Sequence, residues 1–350
     1  MNPLVSIIIP LFNREKFIYE ALSSVLAQNY ANWECIVVDD GSSDNSESIV
    51  SDFHDDDIRF SLVRRSREPK GANTCRNIGL EKSKGKYIVF LDSDDLLASH
   101  CLERRVDFME NHPELDFAVF NTLVFYETPG DSDVLLNIKT DTNDIDRHLY
   151  KDPPWITTGP IWKVEALVNL SGFDEKLVCY QEFDLHLRAL INEASYIFLG
   201  ESQPDNFHRI SHENRISNDS GKSMPFMKSR RYSYLKTARM LKKRGMLTSY
   251  RKKLLANLFL EMIRENMWNK MIYGESLFDS LKWWTVVRKE NWLSFFDYLV
   301  SLLHVFVLSS TLLYKIPSFH LFLQKVTKRM NKSWILPHKD KYRMKIEYRK

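Results

Sequence analysis

Lys86-Tyr-Ile-Val-Phe-Leu-Asp-Ser-Asp-Asp95 decides how the chain is read. The run from Lys86 to Leu91 is apolar and rich in β-forming residues, as in a buried strand. Three carboxylates follow it within four residues. At the C-terminal end of a strand they would repel one another, and a divalent cation with oxygen ligands would relieve the repulsion. Helix capping is the alternative: Ser93, Asp94 or Asp95 would cap a helix running through Leu97, Cys101 and Met109. Capping needs one such residue, whereas all four positions from Asp92 to Asp95 are polar, which favours a metal or ligand site.

Upstream, Val5-Ser-Ile-Ile-Ile9 is a β-branched run suited to a strand buried on both faces, with Pro10 expected to end it. Residues 15–28 show a helical face of Phe17, Ala21, Leu22, Val25 and Leu26. Glu34 to Val38 is a second buried strand, running into Asp39-Asp40-Gly41-Ser-Ser-Asp44. A helix follows through Ile49 and Val50, then a third strand over 58–63, and a loop leading into a helix over 71–82. Strand and helix alternate, which predicts an α/β fold with a mostly parallel sheet covered by helices on both faces. Right-handed crossovers bring the strand ends to one sheet edge, where such folds bind ligands. Phe12, Asp39, Asp40 and Asp92 to Asp95 all fall there, from three separate strands.

Four motifs carry a resemblance: Val5-Ser-Ile-Ile-Ile-Pro-Leu-Phe-Asn13, Val37-Val-Asp-Asp-Gly-Ser-Ser-Asp44, Gly71-Ala-Asn-Thr-Cys-Arg-Asn-Ile-Gly79 and Phe90-Leu-Asp-Ser-Asp-Asp95. In order and spacing they resemble glycosyltransferase family 2, over about residues 3–220. The resemblance implies a GT-A fold, a nucleotide-sugar donor, a divalent metal (Mn²⁺ or Mg²⁺) and inversion at the anomeric carbon. It places Pro10, Phe12, Asp39, Asp40, Arg76, Asp92 and Ser93 in the donor site. Phe12 would pack on the base unless it is a core residue. Asp40, beside Asp39, would accept from a uracil N–H, although Asp-Gly-Ser is also turn chemistry. Arg76 would face base or phosphate, or form a surface ion pair. Asp92 and Ser93 would face the ribose and Asp94 the metal, with Asp95 ligating or supporting.

Tyr180-Gln-Glu-Phe-Asp-Leu-His-Leu-Arg188 resembles the family's Glu-Asp-x-Asp-Leu signature, with Gln181 where Glu is usual and Glu182 where the catalytic Asp is usual. A single inverting displacement needs one general base, and Glu182 is the candidate. Asp184 would be the helix N-terminal carboxylate, before a face of Leu185, Leu187, Leu190 and Ile191. Phe207-His-Arg-Ile-Ser-His212 resembles the family's Arg-x-x-His segment, which makes His212 a candidate ligand for metal or phosphate. Trp155 and Trp162 could wall a sugar site or fill a core, and 126–148 reads as a polar excursion.

Composition bounds the rest. The net charge of +3 hides a balance of −17 over 1–220 and +20 over 221–350. Two domains are expected, 1–222 and 223–350, the second helical, basic and rich in aromatics. Its partner would be an anionic membrane surface rather than nucleic acid, met by a helix lying in the interface or by a spanning stretch at 293–314. Packing on the first domain, or homo-oligomerisation, is the alternative. The four cysteines form no CxxC pair and the N-terminus enters a strand at once, which predicts a reduced, cytoplasmic protein, peripheral on the membrane's cytoplasmic face. The expected activity is hexosyl- or N-acetylhexosaminyl-transfer from a nucleoside-diphosphate sugar, UDP-linked, to a glycan or lipid-linked glycan hydroxyl. One rival is a nucleotidyltransferase, although residues 10–20 lack that class's glycines. Another is a non-catalytic relative, which the Gln181-Glu182 departure would suit.

Overall fold

The computed structural model describes residues 2–136, 138–200, 203–210, 224–273, 285–293 and 299. Its first unit is built on β1 (Val5–Leu11), β2 (Trp33–Asp39), β3 (Phe60–Arg64) and β4 (Tyr87–Phe90), ordered β3-β2-β1-β4 and all parallel. The sheet continues through β8 (Pro160–Lys163), β6 (Phe117–Phe120) and β9 (Tyr196–Leu199). β8 runs antiparallel to both its neighbours, and β6 and β9 are parallel. The mostly parallel α/β architecture read from the sequence is therefore present. Its central strands are continuous β-branched runs because both faces are covered: every residue of β1 is buried.

Three boundaries differ from the sequence reading. Pro10 lies inside β1, paired with Val38. It shares the parity of Ile8, whose carbonyl accepts from Leu91 N–H, and β4 pairs no further than Ile8–Phe90. The N–H that Pro10 lacks would thus face the side where β1 has lost its neighbour. β3 begins at Phe60, and Ile58 is 90% exposed. α1 (Ile18–Leu26) buries Ile18, Ala21, Leu22 and Val25 while Leu26 faces water.

The larger correction concerns Leu96 and Leu97. They form β5, which joins β10 (Asn206–Arg209) and β7 (Thr122–Phe125) in a three-stranded sheet ordered β5-β10-β7. α4 (Cys101–Asn111) starts only after this strand, with His100 at its N-cap position. Ser93, Asp94 and Asp95 therefore cap no helix, and capping is overturned as the reason for their polarity.

α3 (Ala72–Lys82) packs unusually close to the sheet. A Cβ added at Gly79 would come within 2.4 Å of Ile8 Cγ2, so only glycine lets helix and strand approach this far. Trp155 and Trp162 are both core residues, 1% exposed. Trp162 stacks on Phe117 at 4.1 Å between ring centroids, and Trp155 packs against Phe117, Tyr196 and Phe198. The core alternative holds for both. All four cysteines are free and buried.

The second unit comprises residues 145–152 and the described residues after 223. α8 (Met224–Lys243) and α9 (Ser249–Tyr273) bury Tyr234, Leu241, Leu255, Phe259 and Met262. Arg251 Nε donates to Asp146 Oδ1 at 2.6 Å, and Lys151 pairs with Glu261 at 2.5 Å. This unit thus takes in the short piece of chain between β7 and β8. The boundary expected at 222 lies outside the described residues, as does the stretch 293–314 apart from Leu293 and Leu299. No helix among the described residues is long and apolar enough to cross a membrane.

Candidate active site

The C-terminal ends of β1, β2 and β4 meet at one edge of the sheet, and each delivers part of the site. Asp40 N–H bonds Leu11 O at 2.8 Å, which ties the end of β2 to that of β1. The two adjacent acids then diverge. Asp39 makes the turn: its carboxylate accepts from Gly41 N at 2.7 Å, Ser42 N at 3.0 Å and the Ser42 hydroxyl at 2.5 Å. Asp40 makes none of these bonds. Its Oδ1 accepts from Arg65 Nε at 2.6 Å and Gly71 N at 3.2 Å, which draws the loop before α3 over the edge. Phe12 is 41% exposed beside that loop, so it is no core residue. The Lys70 ammonium lies 3.8 Å from its ring centroid.

β4 delivers the acidic loop. Asp95 is fully buried and committed to protein donors: Oδ2 accepts from Thr158 Oγ1 at 3.3 Å and pairs with His208 Nδ1 at 3.0 Å, while Oδ1 accepts from Arg209 N at 3.1 Å. Arg209 also donates through Nε to Asp94 O at 3.0 Å and reaches Glu20 on α1. β10 thereby pins the loop from beneath, while Asp92 and Asp94 remain half-buried at its surface and Ser93 is buried. Asp92 Oδ1 accepts from Arg76 Nη2 at 2.6 Å. Arg76 is 4% exposed, so it is a buried guanidinium rather than a surface ion pair.

α7 (Gln181–Ile191) completes the constellation. Tyr180 precedes it with φ of 62°, a left-handed conformation that strains a bulky residue by about 1–3 kcal/mol. Beyond that turn, Gln181 Oε1 accepts from Arg76 Nη1 at 2.7 Å. One guanidinium thus bridges α3, the acidic loop and the start of α7. Glu182 comes next. Burial pushes its carboxyl above the usual range and Asp92 adds to that push, while a hydrogen bond from a backbone N–H, then Arg76 and His208, pull it back. Asp184 is 2% exposed and paired with Arg188 Nε at 2.7 Å, and Arg188 also donates to Gly172 O at 2.6 Å. Asp184 is tied to a fixed arginine, whereas the Glu182 carboxyl accepts from a backbone N–H.

The structure therefore gathers Asp92, Arg76, Gln181 and Glu182 together, and places Phe12, Asp39 and Asp40 at the neighbouring strand ends with Pro10 buried in β1. His212 lies outside the described residues. His208, Thr158, Arg65 and Lys70 also belong to the constellation, and the sequence reading did not single them out. For His208 a signal existed, a histidine directly before the quoted arginine, but nothing local tied it to Asp95, 113 residues away. Among the described residues no group of three or more His, Cys, Asp or Glu side chains stands ready to hold a metal ion. The half-buried Asp94 still suits Mg²⁺ or Mn²⁺ when a bound diphosphate supplies further oxygens, because such ions commonly use one or two carboxylates plus substrate phosphates.

A mostly parallel sheet with an acidic loop after β4, closed by an antiparallel strand and a second small sheet, is a GT-A fold. Residues 6–157 match the family described as Glycosyl transferase family 2, and the chain carries a domain of that family. It is similar to the Escherichia coli UDP-Glc:alpha-D-GlcNAc-diphosphoundecaprenol beta-1,3-glucosyltransferase WfgD, 44% identical over 106 residues, which are 30% of this chain and 41% of that one. The chain spans about half the length of the curated relatives it matches. The same fold occurs in Staphylococcus aureus TarS 1-349 in complex with UDP, with a TM-score of 0.57 and 18% identity, covering 86% of this chain and 80% of that one. It also occurs in the mannosyltransferase PcManGT of Pyrobaculum calidifontis in complex with GDP-Man and Mn²⁺, with a TM-score of 0.51 and 15% identity, covering 87% and 88%.

Proposed function

We propose that the protein transfers a hexosyl or N-acetylhexosaminyl group, with inversion, from a UDP-linked sugar to a hydroxyl of a glycan or lipid-linked glycan. The observation that carries this reading is the meeting of Glu182 with Arg76 and Asp92 at the edge where β1, β2 and β4 end. A donor bound there is held by this chain's own groups. The exposed Phe12 ring offers a face for the base, and Asp40 an acceptor for a base N–H. Asp92 and Ser93 face the ribose. Mn²⁺ or Mg²⁺, held by Asp94 with His212 as a further candidate ligand, would supply Lewis-acid stabilisation of the leaving nucleoside diphosphate. The Mn²⁺ bound by PcManGT and the UDP bound by TarS support these choices of cation and nucleotide.

Glu182 takes the proton of the acceptor hydroxyl as that oxygen attacks the anomeric carbon. A base with a raised pKa is the better proton acceptor, provided it is ionised at the working pH. Arg76 and His208 favour the ionised form. Buried Asp95 and paired Asp184 keep the two ends of the site in place. Residues 223–350, with their excess of basic residues, would hold the enzyme to an anionic membrane surface carrying the acceptor; flotation with anionic liposomes at low salt tests that part.

The central test is a screen of nucleotide sugars for release of nucleoside diphosphate with and without Mn²⁺. Metal-dependent turnover of a UDP-sugar that survives in Asp184→Asn and is lost in Glu182→Gln is expected. Turnover untouched in Glu182→Gln overturns the assignment of the base. Absence of turnover with every donor, although UDP binds, would instead mark a relative that keeps the fold without the chemistry.

A further inference from the structure

Glu182 shares its corner of the site with charges from three other elements: Arg76 on α3, Asp92 after β4 and His208 on β10. Of these, Arg76 has the shortest leash. Its Nη2 is held by Asp92 at 2.6 Å and its Nη1 by Gln181 at 2.7 Å, while its buried Nε has no partner. Gln181 is 9% exposed and precedes Glu182 directly. A second carboxylate at this position would bring Arg76 a second negative partner, and its field at Glu182 would be largely cancelled. An apolar residue would leave the guanidinium free to swing towards Asp92 alone. A neutral amide does neither, because it fixes the cation by a hydrogen bond and adds no negative charge to the one Asp92 already supplies.

We propose that Gln181 is a positioning residue for Glu182: its uncharged amide holds the Arg76 guanidinium beside Glu182 without adding a second negative charge to the Arg76–Asp92 pair. The residue thereby sets the pH at which Glu182 becomes a competent base. The inference deepens the catalytic reading of Glu182 and rests on it for its functional meaning, but its electrostatic content stands independently. The departure at 181 is then matched to the departure at 182. The longer carboxylate arm lies in a setting whose burial raises its pKa, and Arg76, with Asp92 as its carboxylate partner, favours the ionised form.

The test titrates Glu182 itself, by carbon-13 NMR of side-chain carboxyl-labelled glutamate in the full chain, with the resonance assigned by its loss in Glu182→Gln. In Gln181→Glu, nearly the same in size and shape, the Glu182 midpoint should rise by about one pH unit through the added like charge. In Gln181→Met, which keeps length but loses the acceptor, it should rise by less. Turnover of the UDP-sugar substrate should follow, with the acid limb of kcat moving upward by the same interval and KM for the donor unchanged. A midpoint that stays put or falls in Gln181→Glu overturns the inference. A midpoint that rises as expected, with full turnover retained in Glu182→Gln, leaves the electrostatic role of Gln181 standing and removes the catalytic role of Glu182.

Discussion

The acidic loop after β4 and the first turn of α7 each bring several acidic side chains into a few residues, and the two regions sort them in the same way. In the loop, Asp95 is fully buried and meets three protein donors, while Asp94 stays half-buried at the surface. In α7, Asp184 is buried and paired with Arg188, while Glu182 is pushed above its ordinary pKa in a crowded setting. The buried Asp95 and the Arg188-paired Asp184 act as struts, each close in sequence to a second carboxylate, Asp94 and Glu182, to which the proposed reaction gives a role. The regions differ in how the reactive group is treated. In the proposed reaction the loop would rely on a bound ligand and its cation to neutralise charge, whereas α7 has the fixed Arg76 beside it. Counting carboxylates therefore says little about function, and the burial of each and the partners it meets say more.

The largest expected effect breaks the α7 side. Glu182→Gln should lower kcat about 10²–10⁴-fold, the range typical of general base catalysis. It should also leave the fold at least as stable near neutral pH. The folded-state pKa of Glu182 is raised, so the fold favours the protonated form. That contribution is complete below the unfolded pKa and is lost as pH rises through the folded value. Melting curves should therefore show Glu182→Gln gaining on the wild type as pH rises from 4 to 8. A variant that melts lower at pH 8 would make Glu182 a structural residue like Asp184.

Asp94→Asn comes next. It should remove the enhancement of UDP affinity by Mn²⁺, a loss of about 10–100-fold or more if even outer-shell partners matter that much, with an unchanged melting temperature. Calorimetry with and without the metal measures it, and intact metal-dependent affinity would shift the ligand role elsewhere. Asp95→Ala should do the reverse. Stranding the Thr158, His208 and Arg209 donors should cost about 1–3 kcal/mol of stability, read from denaturant unfolding. Equal effects of the two substitutions would erase the distinction between strut and ligand.

These contrasts also mark what the sequence discloses. The central strands were legible because burial on both faces forces unbroken runs such as Val5 to Ile9 and Tyr87 to Phe90. The convergence of their ends followed from handedness alone. β10 was not legible: Asn206-Phe-His-Arg has no strand-like alternation of its own, and it is a strand because β5 and β7 pair with it. The role of Leu96 and Leu97 was hidden for the same reason, since their partners lie 110 residues downstream. Within the site, adjacency in sequence misled at Asp39 and Asp40, which look equivalent and bond in different directions. Tryptophans suited to a sugar wall proved to be core, which only packing could decide.

The smallest expected effect concerns the other end of the edge. Lys70 covers Phe12, and an exposed cation–π contact is worth about 0.5–1 kcal/mol. Lys70→Ala should therefore tighten the binding of uridine, which carries no phosphate, roughly two- to fivefold by the same figure. Equilibrium titration with uridine checks it, and weaker binding would mean that Lys70 touches the nucleoside rather than shielding its platform.

Gly79 has a consequence that reaches this chemistry from outside. It lies one helical turn along from Arg76, pressed on Ile8 at a distance no side chain permits. The glycine is in effect a thickness gauge between helix and sheet, and the reach of the arginine is calibrated to it. Adding one methyl group there would lift α3 like a shim. The guanidinium would be carried away from both Asp92 and Gln181 together, and a site untouched in every one of its own residues would lose its alignment.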